Sequence, residues 1–417
     1  MASADGGAGY PAAERRWPDA GASVVPNWVY TDPEIFAREQ QRIFDGPNWL
    51  YACLEAEIPN PGDFKRSRLG RRECVAVRSP AGEINVLVNR CAHRSMQYCQ
   101  QNRGSAKEFV CPYHQWTYDL DGKLIGVPFR RGFRGQGGMP EDFRPEEHGL
   151  ERLAVASRHG VVFASFAAPN ESFEDYLGPC MLGWFDRVFD GRPLEIHGYL
   201  RQRIPSNWKL MFENIKDPYH ASLMHVFLVS FGLFRLDQQS SMEMDDTGRH
   251  AVLVSRRGDE ASGDAAAEMR SYRAKYQLQD PRLIEPVREF KGDATVVMQT
   301  VWPNLIVQQQ SNALAMRQIV PLDAENFDLA WTVFGYADDP PEMKQRRRRQ
   351  ANLFGPSGYV SVDDSEAMLL SQAGISGNDE RSCLVELGGR DVANAPHMVT
   401  ETLIRGFYQH YRAVMGL

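Results

Sequence analysis

The sequence predicts an α+β protein in two unequal parts, a small all-β domain followed by a larger domain of mixed helix and strand. From about Asn48 to about Phe166 the chain breaks into short β-rich runs separated by turns, whereas beyond Phe166 longer helical and strand patterns alternate. Two Cys/His pairs with 17 residues between them add a third observation, because two short loops can close over one metal centre at the tip of a small domain.

Residues 1–24 are expected to be a disordered tail, since Met1 to Arg16 is rich in Ala, Gly, Asp and Glu and lacks the apolar core of a signal peptide. Residues 25–47 are expected to form a helical segment packed on the larger domain. The small domain spans residues 48–166, with strands expected at Glu73 to Val77, Ile84 to Asn89, Phe109 to Cys111 and Gly160 to Phe166. Turns are expected at Ser79-Pro80-Ala81-Gly82 and Asp119-Leu120-Asp121-Gly122. The Gly- and Arg-rich stretch Pro128 to Pro140 does not follow the strand, turn, helix order of a nucleotide-binding loop and reads as a surface excursion.

The larger domain spans residues 167–417. Glu171 to Val188 and Asn207 to Phe234 read as helical, Ala294 to Ile319 as long paired strands about a Pro303-Asn304 turn, and Phe327 to Tyr336 as a further strand. Pro341 to Leu353 and Asp363 to Gly374 read as helices. Within the first of these, Lys344 to Arg349 (KQRRRR) reads as a solvated helix face.

Composition bounds the partners. The chain of 417 residues, 43% hydrophobic and 24% charged, can bury one or two large cores. A formal charge of -7 gives no electrostatic reason to bind nucleic acid or an anionic membrane, and no apolar run approaches a membrane span. Seven cysteines (Cys53, Cys74, Cys91, Cys99, Cys111, Cys180 and Cys383), an odd number, fit reduced thiols and a cytoplasmic location better than a disulfide framework. The five outside the Cys/His pairs read as buried small apolar side chains.

Cys91 with His93, and Cys111 with His114, offer two thiolates and two imidazoles. A Rieske [2Fe-2S] cluster needs that set, because two histidines replace two cysteines on one iron and so raise the reduction potential. Structural zinc sites usually pair Cys with Cys and His with His, so the alternation here argues against zinc. No flavin or nicotinamide fingerprint is visible, so electrons are expected from another protein.

A second constellation follows in Glu213-Asn214-Ile215-Lys216-Asp217-Pro218-Tyr219-His220 and His225. Two imidazoles and a carboxylate on one face of a ferrous ion leave positions open for dioxygen beside substrate. Five residues along a regular helix would set His220 and His225 about 140° apart, each residue turning about 100°. A π-bulge or a kink near Pro218 is therefore expected. For the carboxylate, Asp363 and Asp364 are adjacent; Asp363 with Glu366 makes a capping-box pattern, and Asp364 has no such role.

The flanks Asn89 to Arg94 and Cys111 to Trp116, with Glu55 to Arg66, Gly135 to Pro140, Glu213 to His220, Gln350 to Gly358 and Thr400 to Phe407, carry a resemblance. From about Val25 to Leu417 the chain resembles large subunits of Rieske non-haem iron ring-hydroxylating oxygenases, nearest to the salicylate hydroxylase, anthranilate dioxygenase and terephthalate dioxygenase group. It departs from that family at Ser95 and Gln115, where Gly is usual. It also lacks the extra loop cysteines of respiratory Rieske proteins, having Met96 and Tyr113 there.

The resemblance implies a catalytic domain whose antiparallel sheet wraps helices, a mononuclear Fe(II) held by His220, His225 and Asp364 with Asp363 in reserve, and a ferredoxin or reductase as electron donor. It implies a ring of three such chains, with or without three small β subunits, in which the cluster of one chain lies near the iron of the next. Asp217 matches the bridging aspartate that accepts hydrogen bonds from His220 and from the neighbouring chain's counterpart of His114.

The implied substrate is an aromatic carboxylate, best an ortho-substituted benzoate, with a terephthalate-type dihydroxylation, monohydroxylation or demethylation as the alternative and pure electron transfer as the remote one. An arginine would anchor the carboxylate: Arg317, which interrupts an apolar strand, is favoured over Arg405, and Asn214 is a further candidate contact. Phe212, Leu223, Phe227, Val360 and Met368 are candidate lining residues.

Overall fold

The computed structural model describes residues 15–234, 238–256, 270–285 and 287–417. In the small domain a four-stranded antiparallel sheet runs in the order Ile84–Val88, Arg72–Arg78, Asp63–Leu69, Arg103–Ser105. A three-stranded sheet of Phe109–Val110, Thr117–Tyr118 and Leu124–Gly126 packs beside it. The expected turn after Tyr118 is built by Asp119, whose carboxylate accepts the backbone N–H groups of Asp121 and Lys123. Phe64, Leu87, Tyr98, Phe109 and Trp116 fill the space under both sheets. Pro128 to Pro140 is a surface loop as expected, with Phe129 and Phe133 largely exposed.

The larger domain is organised by a seven-stranded antiparallel sheet in the order Leu194–Ile204, Asn326–Tyr336, Ala313–Asp323, Leu305–Gln310, Ala294–Val301, Ala251–Arg256, Gln239–Met244. The run expected as paired strands is three strands, because a second turn at Ser311 follows the one at Pro303-Asn304. Asn304 also joins the two domains, accepting the backbone N–H of Tyr51 at 2.9 Å. The edge strand Leu194–Ile204 was not expected; its side chains are mostly half-exposed, so its sequence lacks a strong apolar pattern.

Helix Trp208–Lys216 lies against this sheet and is covered by the C-terminal helix Thr402–Met415 and helix Ser361–Ile375. Seven of its nine residues are buried, including two lysines. Lys209 is neutralised by Glu39 at 2.6 Å, and Glu39 also accepts from Trp208 Nε1 and Tyr411 Oη. Glu39 ends helix Pro33–Glu39, so the N-terminal segment is tied to the catalytic core by a buried charge pair. Of the tail expected over residues 1–24, residues 1–14 lie outside the described residues. Within residues 15–24 the chain is anchored at two points, Trp17 being buried against Tyr408 and Tyr411 and Val24–Pro26 pairing with Ser382–Leu384, while Arg15, Arg16, Asp19 and Ala20 are exposed.

Two further expectations need correction. The basic run is not simply a solvated face: Arg347 is wholly buried between Glu289 and Asp339, while Arg348 and Arg349 are exposed. Cys180 is exposed and Cys383 half-buried, so only Cys53, Cys74 and Cys99 match the buried reading.

Lys216 has a single polar partner, Thr300 Oγ1 at 2.8 Å, and burial pushes its ammonium down to about 7. Its folded-state value lies below the unfolded one, so the cost of burying it is complete below pH 7 and fades as pH rises from about 7 toward the ordinary lysine range. Lys216→Met is therefore expected to raise stability, by an amount on the order of 1–4 kcal/mol at pH 6. Thermal melts should show that gain shrinking at pH 9, and an equal gain at both values would contradict the assignment of a buried ammonium.

Candidate metal centres and pocket

The two Cys/His loops fold alike. Cys91 N–H donates to Met96 O and Ser95 N–H to Cys91 O; Cys111 N–H donates to Trp116 O and Gln115 N–H to Cys111 O. Closing each loop puts one residue in the left-handed region, Ser95 at φ 60° and Gln115 at φ 56°. These are the two departures from the glycine pattern, so the backbone keeps the conformation that glycine favours at a cost of about 1 kcal/mol each.

Cys91 and Cys111 are buried next to each other, whereas His93 is exposed and His114 half-exposed, with ring centroids 4.6 Å apart. Tyr118 Oη lies 3.2 Å from Cys91 Sγ and accepts the Ala92 N–H. His93 stacks on Trp116. Two sulfurs inward and two imidazoles outward suit a cluster whose histidine-bound iron faces the surface, where electrons enter and leave.

The second centre depends on two breaks in one helical stretch. Helix Trp208–Lys216 stops at Asp217 (φ -118°, ψ 60°), ahead of Pro218, and a short helix His220–Met224 stops at His225 (φ -80°, ψ 88°). The kink is where Pro218 predicts it; the distortion is a pair of helix breaks rather than a π-bulge. The breaks swing both imidazoles to one side, so donor atoms of His220, His225 and Asp364 lie within 4.8 Å of one another. Asp364 Oδ1 is 3.3 Å from His220 Nε2 and 3.2 Å from His225 Nε2.

Both far nitrogens are engaged. His220 Nδ1 donates to Asp217 Oδ1 at 2.7 Å, and His225 Nδ1 to Asp363 Oδ2 at 3.1 Å. Each ring is thereby oriented with Nε2 toward Asp364, the nitrogen that a bound cation would take in place of its proton. Burial pushes the Asp364 carboxyl up, but hydrogen bonds and charge from the two histidines outweigh it and hold the group well below the usual carboxylate range. This donor set fits a divalent iron with open positions.

Helix Ser361–Ile375 begins before the adjacent acids, with Val360 at its N-cap, so Asp363 sits in the first turn and makes no capping box. Its role is to hold His225. Asp363→Ala is expected to weaken iron affinity by about 10–100-fold, measured by metal titration of the iron-free protein. Unchanged affinity would return Asp363 to a purely helical role.

Beside this centre lies a pocket whose wall is largely apolar: Leu228, Phe234, Leu253, Met298, Phe354 and Val360. Of the expected lining residues only Val360 is there. Phe212 stacks on Phe407 in the core, Leu223 is 61% exposed, Phe227 stacks on Tyr359, and Met368 packs in the core. Asn214 reaches the pocket but its amide donates to Asp364 Oδ1 at 3.1 Å, so it steadies the carboxylate.

Arg317 is 3% exposed and lines the pocket. Its contacts are weak: Nη1 to Gln308 Oε1 at 3.4 Å, Nη2 to the Met211 thioether at 3.6 Å, and the Trp331 ring 4.4 Å from Cζ; Nε has none. Burial pushes it down to about 10, which Asp364 partly opposes, so it remains a cation at neutral pH. Arg405 instead donates to the carbonyls of Asp391, Val385 and Leu387 and is absent from the pocket lining. Sequence reasoning passed over Gln308 and Gln310, which share the pocket floor with Arg317; their alternate spacing in LIVQQQ is the signal that they face one way.

A small cluster-binding β domain joined to a sheet-and-helix domain with a two-histidine, one-carboxylate centre defines a Rieske-type non-haem iron oxygenase. Comparison gives the family. Residues 48–135 match the Rieske [2Fe-2S] domain and residues 185–417 the ring hydroxylating alpha subunit catalytic domain, so the chain belongs to the ring-hydroxylating oxygenase alpha subunits. It therefore binds a Rieske cluster and a mononuclear non-haem iron.

The chain is 50% identical over 407 residues to the large oxygenase component of salicylate 5-hydroxylase from Ralstonia sp, covering 96% of each chain. It is 42% identical over 408 residues to the anthranilate 1,2-dioxygenase large subunit of Burkholderia cepacia, covering 97% of this chain and 96% of that one. The crystal structure of naphthalene 1,2-dioxygenase from Rhodococcus sp. bound to indole shares the fold at TM-score 0.79, 24% identity and 94% coverage of both chains.

Proposed function

We propose that this protein is the terminal oxygenase that hydroxylates an aromatic monocarboxylate, best an ortho-substituted benzoate of the salicylate or anthranilate type. The observation that carries this reading is Arg317, a buried cation on the lining of a pocket with a largely apolar wall, without an ion-pair partner among the described residues. An unpaired buried charge costs several kcal/mol, and a ligand carboxylate offsets that cost through a two-point contact with the guanidinium fork.

Arg317 holds the carboxylate, the apolar wall excludes water and holds the ring, and His220, His225 and Asp364 hold the iron. The cluster, held by Cys91, His93, Cys111 and His114, and the iron together supply electrons and dioxygen activation. Asp217 keeps its second carboxylate oxygen without a partner among the described residues, which suits acceptance of a hydrogen bond from a neighbouring chain's cluster histidine. A ring of three chains, with or without small subunits, and a ferredoxin or reductase as donor complete the reading.

A terephthalate-type dicarboxylate is disfavoured, since Arg317 is the one cationic side chain among the described residues lining the pocket. Pure electron transfer leaves the iron-type triad without use. Calorimetry on the metal-loaded protein tests the reading: benzoate should bind much more tightly than toluene, the same ring without the charge. Equal binding of the two would sink it.

A further inference from the structure

We propose that the pocket selects a benzoate bearing a hydrogen-bond-donating group, hydroxyl or amino, ortho to its carboxylate, and that the Gln308 carbonyl oxygen is the group that reads it. The inference rests on Arg317 as the carboxylate anchor.

Gln308 and Gln310 lie two residues apart on strand Leu305–Gln310, and Arg317 pairs with Ile306 of the same strand, so the three side chains form a row along one face of the sheet. All three are buried and border the pocket. Gln308 Nε2 donates to Gln310 Oε1 at 3.2 Å, and Gln308 Oε1 accepts from Arg317 Nη1 at 3.4 Å. The second bond sets the sense of the amide, because a guanidinium only donates, so the Gln308 atom facing Arg317 is the oxygen and Nε2 is turned to Gln310.

The contact to Arg317 is long for a charge-assisted bond, which runs to about 2.7–2.9 Å. A ligand carboxylate arriving at Arg317 therefore takes Nη1 from Gln308. The freed Oε1 is then a buried acceptor without a donor, an unfavourable state unless the ligand supplies one. The carbon next to the carboxylate-bearing carbon lies closest to it, so an O–H or N–H at that ortho position meets the need. Methoxy and chloro groups have no proton to give. Of the other polar side chains bordering the pocket, Asn214 donates to Asp364 and Ser361 to Gln202.

The test compares dissociation constants of benzoate and its 2-hydroxy, 2-amino, 2-methoxy and 2-chloro derivatives on the metal-loaded protein, wild type and Gln308→Leu, with Gln308→Met as a second variant. Wild type should bind the hydroxy and amino acids about tenfold or more tighter than the methoxy and chloro acids. Both variants should lose the preference, each ortho derivative being compared with benzoate on the same protein. Equal binding of all ortho derivatives by wild type, or a preference that survives both substitutions, overturns the inference while leaving Arg317 as anchor. If no benzoate binds wild type, the carboxylate reading itself fails and takes this inference with it. The wild-type comparison decides even where a variant does not fold.

Discussion

Asp217→Ala is expected to lower steady-state turnover by about 100-fold or more while both metal centres stay loaded. Asp217 Oδ1 accepts from His220 Nδ1 at 2.7 Å, so it touches a residue of the iron-type triad from outside. The iron-facing Nε2 atoms and Asp364 are untouched by its removal. In a ring of chains, the same carboxylate would be the one group able to contact both an iron ligand of its own chain and a cluster histidine of the next. On the bridging role proposed for Asp217, its loss would break the contact between centres and leave each centre in place. The check is a pair of measurements on one sample: iron and sulfide content with the cluster's visible spectrum, then turnover. Loaded centres with turnover within about twofold of wild type would remove Asp217 from the electron path.

Arg317→Gln is expected to weaken benzoate binding by about 100-fold or more, because it removes two charge-assisted hydrogen bonds worth roughly 1.5–3 kcal/mol each. The substitution should not unfold the chain. Among the described residues Arg317 has no ion-pair partner, and its contacts are a long bond to Gln308, a thioether and an aromatic face. Removing an unpaired buried cation relieves a cost instead of creating one. Apolar ligands provide the control: weakened benzoate binding with toluene binding unchanged or improved assigns the effect to charge. Benzoate affinity retained in Arg317→Gln would move the anchor elsewhere.

The paired Cys/His loops were legible in the sequence because they are local: each Cys and His sits within one short turn, and the structure brings the two turns together. His220 and His225 were legible as types, and their angular mismatch on a regular helix correctly required a break, though not its form at His225. Asp363 was misread for a definite reason. An acid three residues ahead of Glu366 fits a capping box, but the helix starts at Ser361 and that acid is free to hold His225.

The pocket was the least legible part. Helix Trp208–Lys216 is buried on nearly every side, so periodicity could not tell that Phe212 faces the core while Asn214 faces the metal site. Gln308 and Gln310 were hidden in the same way, since a strand buried on both faces does not show which face borders a cavity. Arg317 stood out because a charge in such a strand needs a reason.

Ring hydroxylation of an aromatic carboxylate is the activity proposed for this protein. It is tested most directly by one turnover of chemically reduced, iron-loaded protein with isotopically labelled dioxygen and a panel of benzoates, read by mass spectrometry. Labelled oxygen is expected in the product of an ortho-hydroxy or ortho-amino benzoate, two atoms marking a dioxygenase and one a monohydroxylase. No labelled product from any benzoate, with cluster and iron both shown intact, would contradict it.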